Sequence, residues 1–428
     1  MKKDLKQLHT RRGFLKNSTL AAASAGLATS SISRAAHPGG SDILKIGLVG
    51  CGGRGTKAAA QALMADENTQ LVAMADAFEN RLESSFKILK RTDVADRVSD
   101  DQQHRHVGFD GYKHVIDASD VVLLCTPPHF RPMHLRACIE AGKHVFAEKP
   151  VAVDAPGVRS VLESAQMAKQ NNLSIVSGLC WRYETGLLET MKRIHDGAIG
   201  DLVSLEATRY GGGVWVRLRE PDQTDMQYQM RNWYYYTWLS GDFIVEQFIH
   251  QLDQIAWALQ DEWPTKCYCV GGRETRTGEE YGHIYDHFNA VYEYKSGARA
   301  YAGTRHQKGS SFLTHCIAQG TQGQSNLMEY DISGKNPWKW GQQRTDMTQL
   351  EHDAMYAALR AGRTINNGDY MAKSTLMAII ARMSAYTGKT ITWEQAMNSV
   401  EDLSPNNYTW DDAPPAAVVA VPGKTKFV

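Results

Sequence analysis

Three groups of residues stand out for their chemistry. Gly50-Cys51-Gly52-Gly53-Arg54-Gly55 is a glycine-rich loop. Glu148-Lys149-Pro150 sets a carboxylate beside an amine. Glu246, His250 and Asp253 fall at i, i+4 and i+7, which on a helix is one face. An imidazole with an ordinary pKa of about 6.5 can take a proton at neutral pH. An ammonium can hydrogen-bond the same reacting oxygen and stabilise its charge. Residue types alone leave a buried structural histidine or a metal site open for the third group.

These groups need elements to hold them. Residues 43–49 form an apolar, strand-like run that ends at the loop, and a helical pattern begins near Thr56. Gly50, Gly52 and Gly55 therefore match G-x-G-x-x-G between strand and helix. The first glycine permits a tight turn, the second a close approach to a pyrophosphate, the third close helix packing. The helix N-terminus offers free N–H groups to phosphates. Gly53 and Arg54 belong to the same loop and are counted with it. A second apolar run, 71–75, ends in Asp76, 26 residues after Gly50, against an expected spacing of about 20. Asp76 is suited to an adenosine ribose and repels a 2′-phosphate, which favours NAD and leaves NADP possible.

Runs at 121–125 and 144–147 precede Thr126-Pro127-Pro128-His129 and Glu148-Lys149-Pro150, with a helical stretch at 132–141 between them. This alternation indicates a doubly wound parallel sheet. Ligands of such sheets bind beyond the carboxyl ends of the strands, so Thr126, Pro127, His129, Glu148 and Lys149 join the cofactor candidates.

Gly50-x-Gly-x-x-Gly55, Asp76, Thr126-Pro127-x-His129, Ala141-Gly142-Lys143-His144-Val145 and Glu148-Lys149-Pro150 together resemble the glucose–fructose oxidoreductase / inositol dehydrogenase (Gfo/Idh/MocA) family. The resemblance runs from about residue 43 to about 395. It implies an α/β protein: an N-terminal Rossmann domain, then an α/β domain with a large open, mostly antiparallel sheet that commonly forms the dimer interface. It also implies a tightly held nicotinamide cofactor and a sugar or cyclitol substrate. It maps His250 onto the family's catalytic histidine, with Asp253 three residues on. Inositol dehydrogenase-like members carry Asp where this chain has Glu246, which leaves the substrate open. The resulting assignment is His250 as base, Lys149 as partner in proton transfer and Glu246 as orienter.

The second half reads as strands at 202–210, 265–270, 288–294, 298–305, 312–318 and 326–330, spaced as an antiparallel meander, with a helix at 241–259 carrying Glu246, His250 and Asp253. Arg231-Asn232-Trp233, opening an unusually aromatic stretch, and Trp181-Arg182-Tyr183 are the remaining substrate candidates. Aromatic faces stack on sugars, and polar side chains bind hydroxyls. His283-x-x-Asp286-His287 reads as surface loop. No metal is expected. Seven scattered cysteines read as buried thiols.

The chain has 428 residues, 47 Lys+Arg and 47 Asp+Glu. Its composition is that of a globular protein. Residues 1–36 differ, with seven basic residues and one acid. Thr10-Arg11-Arg12-Gly13-Phe14-Leu15-Lys16 precedes an Ala/Ser-rich stretch and then Ala35-Ala36. This order resembles a twin-arginine export signal and implies a periplasmic protein delivered folded by the twin-arginine machinery. Without it, 40 basic and 46 acidic residues remain, which argues against nucleic acid as a partner. No apolar run reaches the roughly 20 residues of a membrane span. The expected organisation is 1–36 signal, 37–178 Rossmann domain, 179–403 substrate and dimerisation domain, and 404–428 extended tail. A homo-oligomer, dimer or tetramer, is expected. The leading expectation is an exported NAD(P)-dependent oxidoreductase of a sugar, cyclitol or glycoside. Redox-assisted glycoside cleavage and a non-catalytic sugar sensor are the rivals.

Overall fold

A computed structural model describes residues 42–428, so the leader expected at 1–36 lies outside the described residues. Ile43–Val428 is one compact unit. Its first layer is a six-stranded sheet: β1 (Leu44–Val49), β2 (Thr69–Asp76), β3 (Arg105–Val107), β4 (Val121–Leu124), β5 (His144–Ala147) and β6 (Ile175–Ser177). The order is β3-β2-β1-β4-β5-β6 and every pairing is parallel. β4 is buried along its whole length, as a strand covered by helices on both faces must be. The strand order reverses between β1 and β4, which opens a crevice at their carboxyl ends. β3 escapes sequence reading because this short edge strand, Arg-His-Val, has no apolar run.

The second sheet has nine strands: β7 (Leu202–Gly211), β8 (Lys266–Gly272), β9 (His287–Glu293), β10 (Arg299–His306), β11 (Leu313–Gly320), β12 (Gly323–Asn326), β13 (Asp331–Gly334), β14 (Trp338–Lys339) and β15 (Ile391–Thr392). Their order is β14-β13-β12-β11-β7-β10-β9-β8-β15. The sheet is mostly antiparallel but is not a simple meander. β7 inserts between β10 and β11, parallel to the first and antiparallel to the second. The strand expected at 326–330 is instead mainly the turn between β12 and β13, where Glu329 N–H bonds the Asn326 carbonyl at 3.1 Å. The inner face, with Ala207, Cys267, Ala290 and Ala302, is buried. It packs on helices Ile249–Ala258 and Gly368–Thr387. Helix Gly368–Thr387 also crosses to helix Ala155–Gln170 of the first layer, so the two sheets share one core. All seven cysteines are free thiols; six are buried and Cys125 is partly so.

The helix expected at 241–259 is broken. It forms Phe243–Glu246 and Ile249–Ala258, with Gln247 and Phe248 between. The His283–His287 cluster is no surface loop either. Asp286 is fully buried and accepts the backbone N–H groups of Glu274, Thr275 and Arg276. Against burial, its hydrogen bond with His287 at 2.8 Å and these backbone bonds hold its carboxyl down at about 2.

The C-terminal segment has no helix or strand but is bound along its length. Trp410 accepts a hydrogen bond from Thr224 through its carbonyl at 2.6 Å, and Ala420 accepts one from the Tyr285 hydroxyl at 2.9 Å. Tyr408 bonds His129 Nε2 at 2.8 Å. His129 thus sits in an aromatic cluster with Phe130, Trp238 and Tyr408, where burial pushes its pKa down to about 4. The unfolded chain takes up a proton on this imidazole at about pH 6.5 that the folded chain refuses. Its contribution to stability is complete above that pH and is lost as pH falls toward 4. His129→Gln should flatten the dependence of the unfolding midpoint on pH across this window; an unchanged slope would contradict the assignment.

Candidate active site

The loop after β1 shapes the crevice. Gly50 has φ +97°, and a Cβ on it would lie 2.6 Å from the Thr126 nitrogen. A Cβ on Gly55 would lie 1.9 Å from the Gly50 carbonyl oxygen. Both positions are therefore closed to side chains. Gly52 and Gly53 face open space, and helix Gly53–Ala65 starts there with no side-chain cap. Its first N–H groups remain available to an anion.

Asp76 ends β2. Its Oδ2 accepts from Cys51 N–H at 2.7 Å and its Oδ1 from Phe78 N–H at 2.9 Å; burial raises its pKa. Each oxygen keeps a lone pair for a ribose hydroxyl. The crevice is a cleft of about 540 Å³ lined by the glycine loop, Asp76, Thr126 and Pro127. The Thr126 hydroxyl is buried and unpartnered. Open glycines, an uncapped helix, a strand-end carboxylate and an orphaned hydroxyl are the parts a dinucleotide needs, so the residues present fit NAD.

The second domain closes this cleft. Trp215, Arg217, Arg231 and Trp233 line it, as do Phe78, Arg81 and Phe109 of the first layer. Trp410 of the C-terminal segment packs on Phe78 and Phe109, with ring centroids 5.0 and 4.5 Å apart. Arg231 and Trp233, expected at the substrate, stand at the cofactor cleft. Of these closing residues, Trp215, Arg217 and Trp410 carry no local motif; only the fold brings them to the loop. His129 is absent from the cleft, being turned into the cluster with Tyr408.

Lys149 and Glu246 meet. The Lys149 ammonium donates to the Glu246 carbonyl oxygen at 2.6 Å and to its carboxylate at 3.1 Å. Glu246 ends its short helix, where carbonyls lack intrahelical partners, so the helix break supplies the acceptor. His250 follows the break. Burial, then the charges of Lys149, Arg209 and Arg54, drive its pKa well below the usual value, which keeps the imidazole neutral. Its Nδ1 is buried without a partner.

Behind Lys149 lies an ion cluster that sequence reading missed. Arg54 contacts Glu148 at 2.5 Å and Glu351 at 2.7 Å. Burial, then the Glu148 charge, pushes the Glu351 carboxyl well up, with Arg54 opposing. Arg54 thus lines the cofactor cleft, while Glu148, expected there, is instead its buried partner.

The remaining candidates serve the protein's own structure. Arg182 clamps Asp253 and Asp261 through its guanidinium, at 2.9 and 2.7 Å. Asp253 also accepts from the Ser374 hydroxyl, so its carboxylate is committed within the protein. The break sets Glu246 on a different helix from His250 and Asp253. Tyr183 donates to Asn367 at 2.8 Å. Asn232, fully buried, bonds the Glu280 carbonyl and the Arg217 N–H. Trp181 is partly buried against the core.

Comparison with known proteins agrees with this geometry. Residues 44–177 match the Gfo/Idh/MocA model described as "Oxidoreductase family, NAD-binding Rossmann fold", and residues 187–326 match the GFO/IDH/MocA C-terminal domain. An inositol 2-dehydrogenase of Pseudomonas savastanoi pv. phaseolicola is 29% identical over 222 residues, 51% of this chain and 56% of that protein. One from Rhizobium meliloti is 26% identical over 223 residues, with the same shares. The chain thus spans about half the length of the curated relatives it matches. Among solved structures, aldose-aldose oxidoreductase from Caulobacter crescentus superposes with TM-score 0.62 at 18% identity, over 82% of this chain and 99% of that one. A putative myo-inositol dehydrogenase from Sinorhizobium meliloti gives 0.56 at 20% identity, over 82% and 99%. Both share the fold. With models of both of its domains matched in order, the chain belongs to the Gfo/Idh/MocA oxidoreductase family, and its first domain is that family's NAD-binding Rossmann domain.

Proposed function

We propose that this protein is an NAD-dependent dehydrogenase acting on a hydroxyl of a sugar or cyclitol. The observation that carries the reading is the contact between Lys149, from the end of β5 and beside the cofactor loop, and Glu246, at the helix break before His250. A bound nicotinamide supplies the hydride acceptor. The neutral His250 imidazole takes the hydroxyl proton. The Lys149 ammonium hydrogen-bonds the same oxygen as its charge grows. Glu246 holds that ammonium through two acceptors and so aims it. The inositol 2-dehydrogenases among the relatives support a polyol substrate.

The closed cleft supports a cofactor held through many turnovers. The Arg11-Arg12 segment supports export as a folded, loaded protein to the periplasm. Exposed Tyr268, Val270 and Tyr301 on the second sheet, 39%, 72% and 44% accessible, support a homo-oligomer through that face.

Denaturing the purified protein should release a nicotinamide nucleotide; a folded protein containing none would overturn the loading. Lys149→Ala and His250→Ala should each keep the nucleotide yet lower turnover by about a hundredfold or more, and near-normal rates would refute the roles. Because the His250 pKa is depressed, kcat/KM should stay flat as pH falls to about 6.5 and decline only below it; an acid limb above that pH would exclude His250 as the base. Trp410→Ala should shed nucleotide on gel filtration and recover turnover when NAD is added. Full retention would show that the C-terminal contact does not hold the cofactor.

A further inference from the structure

The charged side chains around Lys149 are each bonded, Arg131 to the carbonyls of Thr126, Glu148 and Lys149, with one exception. Lys149 is paired with Glu246. Arg54 is paired with Glu148 and Glu351. Arg209, on β7, is half-buried and has no hydrogen bond or ion pair to its side chain among the described residues.

The sheet register places it. Leu205 and Ala207 are buried on the inner face of β7, and side chains alternate, so Arg209 points the same way at the strand's carboxyl end. It is registered opposite Thr304 of β10. Two residues further on, His306 reaches Gln247, the neighbour of Glu246. Arg209 therefore lies on the sheet wall facing the helix break. Its charge depresses the His250 pKa, and Tyr234 and Glu246 are the ionisable groups that attract it. Tyr234 is 3% exposed, and its hydroxyl is buried with no partner. The region facing the helix break thus holds a guanidinium with no hydrogen bond or ion pair and, on the short helix Trp233–Tyr235 stacked on His306 at 6.3 Å between ring centroids, a hydroxyl without a partner, both costly unless a ligand satisfies them.

We infer that Arg209 and Tyr234 receive a carboxylate of the substrate, so that the hydroxyl oxidised belongs to a sugar acid; this rests on the dehydrogenase reading above. A guanidinium presents a planar fork that matches a carboxylate in two parallel hydrogen bonds, and the Tyr234 hydroxyl adds a third donor. Lys149 is held by Glu246 and stays with the reacting hydroxyl. Substrate charge and substrate chemistry are thereby assigned to different residues.

The test uses the nucleotide-loaded protein. Calorimetry would compare D-glucuronate and D-galacturonate with D-glucose, D-galactose and glucose 6-phosphate, while absorbance follows reduction of the bound nicotinamide. Both uronates should bind about tenfold or more tightly than their neutral partners. Arg209→Gln should erase that preference while nucleotide content and unfolding midpoint hold, and Tyr234→Phe should reduce it by a smaller factor. Uronates that fail to bind, bind no better than the neutral sugars, or bind more weakly than the sugar phosphate would overturn the inference, as would an unchanged preference in Arg209→Gln. Uronate binding without nicotinamide reduction would uphold the carboxylate site and refute the dehydrogenase reading.

Discussion

The Lys149–Glu246 pair is the constraint around which the site is arranged. Its side chains are only 15% and 16% exposed, and an ammonium taken that far from water needs a close partner. That partner comes from the other sheet's helical layer. The contact therefore requires both layers to be docked and the helix to stop at Glu246. A continuous helix over 241–259 would use the Glu246 carbonyl internally. The break releases it, and the same break sets Glu246 on a different helix from His250 and Asp253.

The buried charges around this pair act together. Arg54 leaves the glycine loop to meet Glu148 and Glu351, which ties the phosphate-facing loop to the strand end that carries Lys149. Burial, aided by the surrounding cations, keeps His250 neutral. Thr126, Tyr234 and His250 Nδ1 are left buried without partners. In a folded interior such atoms are normally satisfied.

Much of the first layer was legible in the chain. β1, β2, β4 and β5 are short apolar runs followed closely by glycine, proline or acidic residues, so each announces itself within a few residues. β3 lacks that pattern. In the second sheet β7 to β11 were legible as strands, β12 to β15 were not, and the order was hidden, because spacing along a chain cannot show that β7 slots between β10 and β11. The helix break was hidden in a periodic pattern that continued through it. His129, Arg182 and Asn232 were read as ligand contacts from their neighbours in sequence, whereas their partners Tyr408, Asp261 and Glu280 lie far along the chain.

The sequence alone determined the Rossmann loop and Asp76 at the end of the strand that follows it, and it offered Lys149 and His250 as candidates for proton transfer. Those features depend on local backbone geometry and on intrinsic side-chain chemistry. Tertiary structure decided which charges are paired. It placed Glu246 on Lys149 and Glu351 on Arg54, brought Trp410 to the cofactor cleft, and left Arg209 alone on the sheet wall. Pairing is a property of distance and burial, and both are set only when the layers close on one core.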